Sequence, residues 1–306
     1  MENPTSDLTI SILGPELTFF DKDKLKKILE LKLKQFRAGE ISTSEYSLIE
    51  LVELAGYLER YPEAIEVEKK LIEYARATIQ ANRSSASLRQ LSMEQDFPVE
   101  VMELDLIRWK VLSGQVDEAK REYPIAIANL EERKNRKSSF WRSHCNNIRV
   151  FPSCYPCEVA IAFAYKGELD FAEKILKQEL EVPRGMFILC EKTKLGTPPV
   201  KTQFRLTRIG YDDGISECLS YLVYQYVETN QKNKATSLIQ HIIDKMNSKT
   251  NIAMISGDCK LLISKLQLLA STIDLENSKS WLKESEASKN EGIKLLNLHK
   301  KPSKNK

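Results

Sequence analysis

Four stretches of this chain align without gaps on a single alanine, and that alignment narrows the folds open to it more than any other feature. The alanines are Ala64 in RYPEAIEVEKKLIEYA, Ala119 in GQVDEAKREYPIAI, Ala172 in GELDFAEKILKQEL and Ala235 in NQKNKATSLIQHII. Eight residues after each come Ile72, Ile127, Leu180 and Ile243, and four after the last three come Tyr123, Leu176 and Ile239. This is the stripe of a helix with one face in a core. Only Glu68 interrupts it.

An earlier helix precedes each alanine. Thirteen and twelve residues before it stand Leu51 and Val52, Leu106 and Ile107, Val159 and Ala160, and Leu222 and Val223, apolar in every case. Gly114 and Gly167 lie five before their alanines, where a short turn needs positive φ, and Asn230 can adopt the same conformation. Each stretch therefore reads as an antiparallel helix pair crossing at a small residue.

The pattern resembles the tetratricopeptide repeat (TPR), whose small crossing residue is matched by Ala64, Ala119, Ala172 and Ala235 and whose turn glycine is matched by Gly114 and Gly167. The resemblance spans roughly residues 43 to 246. The alanines lie 55, 53 and 63 residues apart, so the repeats are degenerate, with extra segments between them. It implies an all-α, TPR-like α-solenoid: one domain over 21–298 with units near 43–80, 99–133, 157–181 and 215–247 and an irregular C-terminal hairpin at 257–298. A helix carrying Leu25, Ile28, Leu29, Leu31 and Leu33 is expected to cover the first unit. Residues 1–20 read as a flexible end and 299–306 as a disordered basic tail. The connection VPRGMFILCEKTKLGTPPVKTQFRLTRIGYDDG alternates Phe204 and Leu206 with polar neighbours, which suits a small β-hairpin near 185–210.

If the stacking follows that family, first helices line an inner groove, and the resemblance implies partner-binding residues there. From the first two units these are Ile49, Glu53 and Tyr57, then Leu104, Arg108 and Leu112. From the last two they are Ile161 and Tyr165, then Tyr224 and Glu228. The groove is mainly apolar and aromatic. It lacks the Asn and Lys with which some family members hold a carboxylate, so the expected ligand is a peptide or partner helix held by hydrophobic burial.

Charge bears on the alternatives. The chain carries +3, but Lys300, Lys301, Lys304 and Lys306 sit in the tail, so the remainder carries −1. That is not the footprint of a nucleic-acid binder. The run Arg133, Lys134, Arg136, Lys137 with Trp141 and Arg142 keeps RNA binding as the alternative function, because it joins cations to an aromatic ring. A third reading, zinc- or thiol-dependent, centres on Cys154 and Cys157, with Cys145 and Cys190 as further ligands. Pro156 would set these cysteines at a helix N-terminus, where a thiolate is favoured. The second half of a zinc site is poor, since His144 and Cys145 are adjacent and diverge.

No phosphate-binding glycine loop, His-Glu-x-x-His or Gly-x-Ser-x-Gly occurs. The expectation is a non-enzymatic adaptor or scaffold without a cofactor. Its cysteines read as reduced thiols and its acidic, polar start lacks the pattern of a secretory signal, so the expected site is the cytoplasm.

Overall fold

The computed structural model of the chain describes residues 21–40, 45–83, 99–144, 154–181, 214–248 and 257–299. Among them are eleven helices and no strand: α1 (Lys22–Arg37), α2 (Glu45–Tyr57), α3 (Tyr61–Arg83), α4 (Val99–Leu112), α5 (Val116–His144), α6 (Cys154–Tyr165), α7 (Leu169–Glu181), α8 (Gly214–Glu228), α9 (Lys232–Ser248), α10 (Gly257–Ile273) and α11 (Ser278–His299). The chain divides into two compact units, one holding α1–α5 and the other α6–α11. The β-hairpin expected near 185–210 falls outside the described residues, as do both expected flexible ends.

The four aligned stretches are the hairpins α2/α3, α4/α5, α6/α7 and α8/α9, and all close with one backbone geometry. Five residues before each alanine the chain turns left-handed: Glu59 at φ 60°, Gly114 at 94°, Gly167 at 84° and Asn230 at 59°. The amide of the next residue donates to a carbonyl five back, Arg60 to Ala55, Gln115 to Lys110, Glu168 to Phe163 and Gln231 to Tyr226, at 2.7 to 2.9 Å. These bonds satisfy carbonyls that the end of a helix leaves open. The second helix then begins at once, with the amide of each aligned alanine bonded to the carbonyl four back. Glu59 adopts the left-handed turn without glycine's freedom, at a cost of about 1 kcal/mol.

All four alanines are completely buried. A methyl group at the crossing lets two helices approach without leaving a void, while the stripes on either side fill the interior. Most stripe residues are buried, Glu68 included; Leu106 and Ile127, both of α4/α5, are only half-buried. On α1 the buried line is Leu25, Leu29 and Leu33, spaced by four. Leu31 is half exposed, because two residues off that line it faces away from α2. Ion pairs fasten α1 to its hairpin: Lys32 to Glu50, Arg37 to Glu66 and Glu30 to Arg60.

The hairpin α10/α11 uses another device. Gly257, Ser264 and Ser271 recur every seven residues on α10, and Ser278, Ser285 and Gly292 do so on α11. One end and the middle of these rows meet. A Cβ on Gly292 would lie 2.8 Å from the Gly257 carbonyl oxygen, and one on Gly257 would lie 2.5 Å from that of Gly292. The Ser264 and Ser285 hydroxyls are 3.0 Å apart, and the Ser285 hydroxyl also donates to the Ser264 carbonyl at 2.8 Å. At the turn, Asp274 accepts from the Asn277 side-chain amide and from the Trp281 indole, with the Asn277 backbone amide adding to them, and these bonds hold its carboxyl below the usual range.

Two substitutions at equivalent turns should act with opposite sign. Glu59→Gly is expected to raise stability by about 0.5 kcal/mol, the relieved strain less the added freedom of the unfolded chain, whereas Gly167→Ala should lower it by about 1 kcal/mol. Urea midpoints check both. In the last hairpin Gly292→Ala should cost about 1–3 kcal/mol by forcing the helices apart, read the same way.

Candidate functional site

In the first unit the residues expected to line a groove divide by their place on the helix. Leu104 and Leu112 of α4 are buried, at 0 and 2% exposure, so they close the interior instead of presenting a surface. Ile49, Glu53 and Tyr57 of α2 and Arg108 of α4 are partly exposed. Trp109 of α4 is itself buried and lies against α2. Gly56 makes room for it: any Cβ there would collide with the indole ring. Arg108 stacks on the same ring at 4.2 Å from its centroid and pairs with Asp105 at 3.1 Å, while Tyr61 stacks on it at 6.3 Å.

Glu68, the break in the apolar stripe, lies within this group at 3% exposure. Burial pushes its carboxyl well above the usual range, and the Asp105 and Glu53 carboxylates push the same way against Arg108 and Trp109. Helices α2, α3 and α4 thus enclose a carboxyl that holds its proton when others have lost theirs. Another buried ionisable group of this unit, Lys110, is held differently. Its ammonium donates to Glu118 and Glu122 at 2.7 and 2.6 Å, which offsets its desolvation.

In the second unit α6 and α8 pack against each other. The outward side of α6 carries Tyr155, Glu158, Ile161 and Tyr165, and that of α8 carries Glu217, Tyr221, Tyr224 and Glu228. Tyr165 is 42% exposed. The expected site residues Ile161, Tyr165, Tyr224 and Glu228 therefore share one face. Tyr221, missed in the sequence reading, joins them. Its hydroxyl is pushed up by burial and by its neighbours Tyr165 and Tyr224, against a hydrogen bond with Gln225. The available signal was its spacing: Glu217, Tyr221, Tyr224 and Glu228 follow at i, i+4, i+7 and i+11 while Leu219, Leu222, Val223 and Tyr226 turn inward.

The second helices of the same hairpins frame an open groove of about 730 Å³ between α7 and α9. Its walls are charged but mutually paired: Lys234 to Asp170 and Lys177 to Glu173, each at 2.6 Å, with Lys245 bonded to Glu181. The buried Tyr226 donates to Glu173 at 2.5 Å, and burial together with that carboxylate drives its phenol far above the ordinary range. His241 at the groove edge is pushed down by burial and by Lys177 and Lys245, so it stays neutral at pH 7.

Of the remaining candidates, Cys157 is buried in α6, and Cys154 is the first residue of that helix. Cys145, Cys190 and the side chains of Arg133, Lys134, Arg136, Lys137, Trp141 and Arg142 lie outside the described residues, although helix α5 itself runs to His144. Among the described residues no group of three or more His, Cys, Asp or Glu is placed to hold a metal. No described helix is long and apolar enough to cross a membrane.

Fold and face together define an all-α protein of antiparallel helical hairpins packed in sequence order within each unit, compatible with a helical repeat. No protein-family model, curated protein or solved structure matches the chain.

The Glu68 carboxyl generates a pH prediction. Its folded pKa lies above that of an unfolded glutamate, about 4.3, so the folded unit binds the extra proton; stability is greatest below that pH and falls as pH rises toward the folded value. Glu68→Gln should flatten the decline of the urea midpoint as pH rises above the unfolded glutamate value of about 4.3. Equal slopes for the two proteins would remove the buried carboxyl from this role.

Proposed function

We infer that the chain is a non-enzymatic adaptor, a degenerate TPR-like protein acting in the cytoplasm, which holds a segment of another protein on the face formed by α6 and α8. The observation that carries this reading is the grouping of Tyr165, Tyr221 and Tyr224 on adjacent first helices, over a floor that is already closed. Cys157, Ala160, Phe163 and Ala164 of α6 and Leu219, Leu222 and Tyr226 of α8 are all at 0 to 1% exposure. The tyrosines are therefore not needed to complete the core.

Tyrosine suits such a surface physically. It offers a broad apolar ring with a hydroxyl that can bond in or out of water, and only two side-chain torsions are lost on binding. A few such residues grouped in one place carry most of the energy of a typical interface. The paired charges of the α7/α9 groove, by contrast, leave little net field there for a ligand to use.

Tyr165→Ala combined with Tyr224→Ala should weaken partner binding by 2 kcal/mol or more, roughly thirtyfold, while circular dichroism stays that of the parent. Undiminished binding by a folded double variant would move the site elsewhere on the chain.

A further inference from the structure

We propose that the terminal hairpin α10/α11 is a docking surface in its own right, which takes an amphipathic helix with acidic flanks from another protein. It is separate from the α6/α8 face and does not depend on the reading given to that face. The hairpin is where the chain leaves large apolar side chains uncovered. Of the seven that are exposed among the described residues, four belong to it: Leu268, Leu275, Leu282 and Ile293, at 43 to 73% exposure. Among the described helices α11 packs extensively on α10 alone, so one side of the pair has no neighbour to cover it.

The exposed side chains share a side because the two helices meet through equivalent small residues. A Cβ on Gly292 would meet the Leu261 side chain, and one on Gly257 the Leu296 side chain. That contact is reciprocal, so the residue four after each small one lies on the same side of the seam on both helices. On α10 this side carries Leu261, Lys265 and Leu268, and on α11 it carries Leu282, Lys289 and Ile293, all at helical spacing, with Leu275 in the turn. Charge is sorted across the seam as well. Two carboxylates of α11 face the other way with partners: Glu284 accepts from Gln267 and Ser280, and Glu291 pairs with Lys260 at 3.0 Å. On the leucine side Lys265, Lys279 and Lys289 make no ion pair or hydrogen bond among the described residues. Glu286 is the one carboxylate that α11 places beside them.

Two antiparallel helices with leucines in matched rows bound a groove that a third helix fills, its apolar residues repeating every three and four positions between Leu268, Leu282 and Ile293. The lysines then stand at the flanks of the incoming helix, the positions that select a partner by charge, where Glu or Asp is attracted and Lys or Arg repelled. The seventeen residues of α10 span about 25 Å, which sets the length of helix the groove can hold. Glu286 within the rows and Glu276 beside Leu275 at the tip count against an anionic lipid surface as the occupant.

The test uses the purified full chain and three fluorescent helical peptides of about twenty residues, which share a leucine seam and carry Glu, Gln or Lys at the flanking positions. The Glu-flanked peptide is expected to bind at least tenfold more tightly than the Lys-flanked one, with a margin that shrinks between about 50 mM and about 500 mM salt. Lys265→Glu with Lys279→Glu and Lys289→Glu should reverse that order. Leu268→Asn with Leu282→Asn should abolish binding of all three peptides while circular dichroism stays that of the parent. Equal binding of the three peptides would overturn the acidic flank, and binding that survives the leucine variant would overturn the placement. Binding of none would overturn the proposal outright. Dimers of the chain that the leucine variant disperses in sedimentation would assign the face to a second copy. Flotation with vesicles of phosphatidylserine and phosphatidylcholine, lost in the same variant, would assign it to a lipid surface, and either result would overturn the helical partner.

Discussion

Each hairpin among the described residues buries a residue too small to hold packed helices apart. At Ala64, Ala119, Ala172 and Ala235 that residue is a fully buried alanine, and at Gly257 and Gly292 it is a glycine against another backbone. Close crossing brings the flanking Leu, Ile and Val side chains into mutual contact, and their burial drives the pairing. The left-handed turn is the geometric partner of this constraint. It ends the first helix and starts the second within three residues, so that the crossing falls at the same distance from the turn each time.

Such tight interiors leave few ways to place a polar group, and the position nine before each alanine illustrates them. Ala55 is merely small, and Phe163 sits edge-on to Phe171 at 4.6 Å. Lys110 reaches Glu118 and Glu122 on its own second helix, and Tyr226 reaches Glu173 on the preceding hairpin. Each polar solution carries its own partner. Glu68, four after Ala64, differs in kind: a buried carboxyl beside Asp105 and Glu53, with Arg108 and Trp109 acting the other way, tolerated because it can keep its proton. The interior of the first unit is in this respect responsive to pH, while the second, with its ion pairs on α7 and α9, is laced together at the surface.

The division of labour between helices follows from the same packing. In the second unit, α7 and α9 pair their charges with each other and within α7, which consumes field they could offer a ligand. First helices α6 and α8 have their buried sides filled by small and aliphatic residues, and what remains outward is aromatic and acidic.

Much of this was legible in the residues alone. Helical pairing, the four crossings, the turns at Gly114, Gly167 and Asn230, and the buried line of α1 all depend on periodicity and on local backbone preference, which act within a few residues. The seven-residue rows of Gly257, Ser264, Ser271 and Ser278, Ser285, Gly292 also stand in the sequence, where serine carries no apolar signal of packing. Other features were decided only in three dimensions. Glu59 takes a left-handed turn that no composition signal marks, because packing of the helices on either side outweighs its local strain. Leu104 and Leu112 are buried within the first unit, Trp109 fits against Gly56 of α2, and Tyr221 is left half-buried beside Tyr165 and Tyr224. A side chain's helical face is set by its sequence spacing; whether that face meets solvent or a neighbour is set by volume, and volume is shared among residues far apart in the chain.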